Sequence, residues 1–209
     1  MMKEKRWMVL YIIMLVVFII VFIWSGIHPK SRATWYVESG PAVLGFVILC
    51  WTFKRFSFTP LFYILAFISG LIMLIASHYT YESAPLFNNI KGLFNLSRNY
   101  CDRFGHVFQG VVAGAFFREI FIRLDVVKKK FLPYIVIGLS LAGSATYEIM
   151  EFLVGYFQQA RSMEDMLGYQ GDQWDTQWDM ICALSGSILF LLFFHNIHDN
   201  QIKQITRQK

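Results

Sequence analysis

Ten residues, Gln170 to Asp179, carry three carboxylates and two indoles and run straight into an apolar stretch from Met180 to Phe194. Acids at the mouth of a membrane-length apolar run are costly to keep there and point to a functional site by default. Two other stretches match it. Asp102, His106 and Gln109 stand at i, i+4 and i+7, as do Ser144, Glu148 and Glu151, while Asp172, Asp175 and Asp179 stand at i, i+3 and i+7. Each spacing puts its three side chains on one helical face.

Carboxylates gathered around an imidazole can move protons or hold a divalent cation. Two carboxylates one turn apart in an apolar run, Glu148 and Glu151, repel, so they share a proton or are held by a cation. A carboxylate set suits Mg²⁺ or Mn²⁺, and an added imidazole admits Zn²⁺ or Fe²⁺. The expected metal ligands are Asp102, His106, Glu148, Asp175 and Asp179. The expected catalytic groups are His106, Glu148, Glu151 and Asp179. Arg98, Arg103, Gln109 and His78 are the expected substrate-binding residues, the arginines as partners for an anionic head group. Each residue taken singly also has a structural reading: Asp172 and Asp175 as helix caps, Asp102 as the partner of Arg103 or Arg98. Three acid-bearing ladders on separate elements are what favour a site. No H-E-x-x-H, G-x-S-x-G or phosphate-loop signature is present.

The elements that must position these residues are membrane helices. Of the 209 residues 56% are hydrophobic and only 16% charged, with a mean hydropathy of +0.46. An average soluble domain has about 25% charged residues. A spanning helix needs about 20 apolar residues. Six stretches meet that length, over residues 7–25, 37–53, 60–77, 104–122, 133–157 and 176–195. The expected fold is therefore all-α, a polytopic bundle of about six transmembrane helices forming one domain over 1–209. The first run is longer than a signal-peptide core and no small-x-small site follows it, so it reads as an uncleaved helix. Gly40-Pro41 interrupts the start of the second. The long spacer 82–103, with its Leu86-Phe87 and Leu93-Phe94 pairs, reads as a partial lid on the outer surface.

Lys and Arg set the orientation. With the N-terminus cytoplasmic, thirteen fall inside: Lys3, Lys5, Arg6, Lys54, Arg55, Arg118, Arg123, Lys128, Lys129, Lys130, Lys203, Arg207 and Lys209. Six fall outside: Lys30, Arg32, Lys91, Arg98, Arg103 and Arg161. Both termini are thus expected in the cytoplasm. The acids divide the other way. Glu38, Glu82, Asp102, Glu148, Glu151, Glu164, Asp165, Asp172, Asp175 and Asp179 fall on the outer half, and only Glu4, Glu119, Asp125 and Asp199 inside. Arg118-Glu119 reads as a local pair near the inner surface, and His195 and His198, at the frayed inner end of the last span, are assigned no role. The net charge of +5 is explained by topology, so no nucleic-acid partner is expected. Cys50, Cys101 and Cys182 lack the paired spacing of a zinc or redox site.

At D-R-F-G-H-V-F-Q-G, Y-E-I-M-E-F and G-D-Q-W-D-T-Q-W-D-M, and at H-Y-T-Y (78–81) and L-S-R-N (96–99), the chain resembles the YjdF type of bacterial inner-membrane protein. That family carries a domain of unknown function. The resemblance covers most of the chain and implies a multi-pass protein of the bacterial plasma (inner) membrane. More distantly, the motif order is similar to VanZ-like membrane proteins, with an acid and a His opening one helix, a glutamate on the next and an aspartate pair before the last. Glu151 and the W-D-T-Q-W-D string depart from that pattern, so the VanZ role in glycopeptide resistance is not carried over.

Three functions compete. The first is a metal-dependent enzyme facing the outer leaflet, acting on a lipid-linked or anionic substrate. The second is a proton- or cation-coupled transporter, which calls for polar groups on both sides of the midplane. The third is a non-catalytic membrane protein whose polar cluster stabilises helix packing. The bilayer is a partner in all three.

Overall fold

The computed structural model describes residues 2–157 and 170–207, so Arg161, Glu164, Asp165 and Lys209 of the charge count lie outside the described residues. Within them the chain is helical, with no strand. The order is α1 (Met2–Ser25), α2 (Arg32–Thr52), α3 (Pro60–Tyr79), a 3-10 turn (Tyr81–Ser83), α4 (Pro85–Leu93), α5 (Cys101–Leu124), α6 (Leu132–Phe157), α7 (Asp175–Phe193) and α8 (His195–Arg207).

Among the described residues five helices, α1, α2, α3, α6 and α7, are long and apolar enough to cross a membrane. Their outer surfaces present large exposed apolar side chains such as Ile20, Leu44, Trp51, Phe152 and Leu192. A soluble monomer rarely exposes a continuous apolar surface of this kind; in a bilayer it faces lipid. At 24 residues, α5 is also long enough, but it carries Asp102, Arg103, His106, Gln109, Arg118, Glu119 and Arg123. A helix with that cargo belongs inside the bundle, and α5 packs on α7, α6 and α3.

The closest approach is between α5 and α7. A Cβ at Gly110 would overlap the Ala183 carbonyl, and one at Gly186 would overlap the Val107 carbonyl. Gly110 and Gly114 form a G-x-x-x-G pair, the spacing that lets membrane helices bring their backbones together. This contact locks the register of the Asp102–His106 face against the Asp175–Asp179 face.

Three expectations about elements need correction. α2 begins at Arg32, not residue 37, because Ser31 caps it and accepts the Thr34 N–H at 3.3 Å. Pro41 consequently lies inside the helix. Asp172 precedes α7 and is not on its face. It sits in a turn with Gln170 at φ 42° and Gly171 at φ +80°, a region glycine enters without strain. Finally, the C-terminal end of α7 is not frayed. The chain turns into α8, where His198 is fully buried.

His198 also revises the reading of Glu119. Rather than forming one local pair, Glu119 is fully buried in a network. It accepts the Thr59 N–H at 3.0 Å, the Thr59 hydroxyl at 2.8 Å and Arg123 at 2.8 Å, and lies 3.1 Å from His198 Nε2. Arg118 pairs with Asp199 at 2.6 Å. This network ties α3, α5 and α8 together at the end of α5 away from His106.

Candidate functional site

The N-terminal half of α5 holds the centre of the other polar network. Asp102, His106, Glu148 and Asp179 are all buried, contributed by α5, α6 and α7. His106 Nε2 lies 3.3 Å from a Glu148 oxygen and 3.5 Å from Asp102 Oδ1. Asp102, His106 and Asp179 each offer a ligand atom within 4.8 Å of the others. Two donors held tetrahedrally on one ion at about 2.1 Å stand about 3.4 Å apart. The His106 separations match that spacing and are longer than a usual direct hydrogen bond.

His106 Nδ1, Glu148 Oε1 and Asp179 Oδ1 are buried with no hydrogen-bond partner among the described residues. Orphaned buried polar atoms are rare and costly. Here three of them belong to neighbouring side chains of α5, α6 and α7, with Glu148 Oε1 facing His106 Nε2. Beside them lies a cavity of about 150 Å³, lined by Asp102, His106, Gln109, Ser69, Tyr81 and Tyr147 among others. The Tyr147 ring stands edge-on to His106 at 5.9 Å.

Asp175 is placed differently from Asp179. It pairs with Arg98 and lies 3.5 Å from Arg103. Arg103 also holds Asp172 at 2.5 Å, and its guanidinium lies over the Tyr100 and Trp178 rings. The Trp174 N–H, reinforced by the arginines, holds the Asp172 carboxyl below the usual carboxylate range. A two-way amide clamp fixes the approach to α7: Asn99 N–H donates to Gln170 Oε1 at 2.7 Å, and Gln170 Nε2 donates to the Asn99 carbonyl at 2.9 Å. Both arginines are therefore committed to acids of the α7 entry. They form a charge-paired rim, and the deeper acids of the cluster are left with His106.

His78 is held elsewhere. Its Nδ1 is 3.0 Å from the Ser25 carbonyl and its ring stacks on Trp24, which ties α3 to the end of α1. Glu151 is half-buried on α6, one turn beyond Glu148. Cys101 is packed against Ala76, Tyr81 and Ala84. The sequence reading missed Glu38 as a site residue. It is buried on α2, its Oε2 has no hydrogen-bond partner among the described residues, and it lies within electrostatic reach of Asp102. Its signal was present, an acid within an apolar helix, but the late start assigned to α2 left Glu38 at the boundary.

Membrane-crossing helices on the outside and a buried carboxylate–imidazole cluster within define a polytopic membrane protein with a polar intramembrane site. The family model described as Predicted membrane protein (DUF2238) matches residues 10–200, and the chain belongs to that family. It is similar to the Inner membrane protein YjdF of Escherichia coli (strain K12), with 36% identity over 186 residues, 88% of each chain. No solved structure matches it. The chain is thus a multi-pass protein of the bacterial plasma (inner) membrane, in contact with the lipid bilayer.

Proposed function

We propose that this protein is a metal-dependent membrane enzyme with its site at the outer leaflet, acting on a lipid-linked or anionic substrate. One observation carries the reading: His106 stands at ion-sharing distance from Asp102 and Glu148, with Asp179 within 4.8 Å of the first two and orphaned atoms beside them. Asp102, His106 and Asp179 bind the ion. Glu148 completes its shell or trades a proton with substrate, and Glu151 serves as its neighbouring proton partner. A bound divalent ion would polarise a phosphoryl or acyl oxygen. It would also neutralise acids that could not all be charged together in a low-dielectric site. Asp175 holds Arg98 and Arg103 at the rim, where they meet an anionic group, and Gln109 contacts the substrate below it. In this reading α5 is the sixth span, the bundle is one domain, and both termini lie in the cytoplasm.

The test is elemental analysis of purified protein after dialysis against Mn²⁺ or Zn²⁺. The expected result is about one ion per chain, falling to near none in His106→Gln and Asp179→Asn while both keep their helical content. A wild-type protein that stays metal-free, with unchanged thermal stability in chelator, overturns the reading.

The Glu119 network gives the transport alternative one observation of its own, a buried polar cluster at each end of α5. His106 and Glu119 are separated by about 20 Å of helix, and mostly apolar residues such as Val111, Val112, Ala115 and Phe116 lie between them. Proton or cation flux in proteoliposomes that Glu119→Gln and Asp179→Asn both abolish would favour that path.

A further inference from the structure

The polar cavity adjoins a second, larger hollow. Pro41, Ser69, Met73 and Gln109 line the polar cavity, and the same four residues line this hollow of about 680 Å³. That volume falls within the range of small-molecule pockets. Its walls are almost wholly apolar and come from α1, α2, α3, α5 and α6. It runs along α5 from Gln109 to Phe117, about 12 Å of helix axis. The polar atoms at its upper end include Gln109 Oε1 and Ser144 Oγ, both buried and without hydrogen-bond partners among the described residues. α2 and α6 border it without packing extensively on each other. Gly45 on α2 and Gly143 on α6 line it, and a Cβ at either would meet nothing within 4 Å.

An apolar hollow at membrane depth stays dry, and hydrocarbon is the material at hand to fill it. We infer that this hollow holds one hydrocarbon chain of a bilayer lipid whose anionic head occupies the adjoining carboxylate–His106 cavity. The inference rests on the proposed function for the head group. The tail chamber rests on the four residues that border both spaces and on the apolar walls. The substrate would enter sideways between α2 and α6, its tail lying beside Met73 and Phe116 and its head beside Gln109 and His106.

The experiment uses the full chain in vesicles of phosphatidylglycerol, doped with phosphatidylglycerol carrying a diazirine midway along one acyl chain. After irradiation, cross-linked peptides are mapped by mass spectrometry. The wild-type protein should label at Met73 and Phe116 within the hollow as well as at Ile149 and Leu192, which face outward. Gly143→Leu and Gly45→Leu each fill the hollow from one side and replace a helical glycine with a stronger helix former. Both should lose the Met73 and Phe116 labels while keeping those at Ile149 and Leu192, which shows that the variants are folded and inserted. Absence of hollow labelling in the wild type, or labelling that survives both substitutions, overturns the inference. Each sample is also run in EDTA with its metal content measured, so a failed metal reading and a failed tail chamber are told apart.

Discussion

At the scale of single residues, what matters is which buried polar atoms have partners. Glu119 has them all, and truncating it leaves His198, Arg123 and the Thr59 N–H facing a void. Breaking a buried charged network by removing one partner costs about 3–5 kcal/mol. Glu119→Ala should therefore lower the melting temperature of the purified protein sharply, without changing its ion content. Asp172 gives a pH-dependent case. Its folded carboxyl is held below the usual range by the Trp174 N–H and the arginines. Its contribution is then fully present above the unfolded value of about 3.9 and fades as pH falls through the lower folded value. Melting curves of wild type and Asp172→Asn should differ at pH 6 and converge as pH drops below about 4. Much at this scale was readable beforehand, because i, i+4 and i+7 spacing fixes a helical face regardless of tertiary detail. Asp102, His106, Glu148 and Asp179 were singled out that way, and they lie together in the fold. The spacing could not separate Asp175 from Asp179, since their division depends on Arg98 and Arg103 arriving from a segment some seventy residues away. Nor could it place His78, whose partner is a backbone carbonyl at the end of α1.

At the scale of elements, the contact between α5 and α7 sets the site's register. Gly110 and Gly186 stand where any Cβ strikes the opposing backbone, which cannot yield as a flexible side chain does. Gly110→Ala should destabilise by about 1–3 kcal/mol through overpacking and weaken ion binding as α7 shifts. The control is Gly138→Ala on α6, where a Cβ meets nothing within 4 Å. That change should be neutral or stabilising by up to about 1 kcal/mol. Thermal melts and Mn²⁺ titrations of the two variants check both statements. Hydropathy pointed to the five helices that are long and apolar enough to cross a membrane, because bilayer thickness leaves little choice of length. It was blind to the start of α2, which a Ser31 cap decides, and to α8, a polar amphipathic helix that an apolar window reads as a frayed end.

At the scale of the whole molecule, α5 carries one polar network at each end and an apolar middle that faces α3 and α7. Among the described residues the network around Glu119 is internally satisfied, and the one around His106 is not. That contrast marks the first as structural and the second as the candidate for chemistry. Composition could say that acids gather on one side of the membrane, but not that one cluster is closed and the other open. An ion at the open cluster would join α5, α6 and α7 and stabilise the fold by about 2.7 kcal/mol at a hundredfold excess over its dissociation constant. The most direct measurement is pulsed electron paramagnetic resonance of the Mn²⁺-loaded protein, with His106→Gln and Asp179→Asn beside the wild type. The account predicts one bound Mn²⁺ with a nitrogen coupling from His106, the coupling lost in His106→Gln and the ion bound at least about tenfold more weakly in Asp179→Asn. Mn²⁺ bound without nitrogen coupling, or bound equally well by all three proteins, would contradict it.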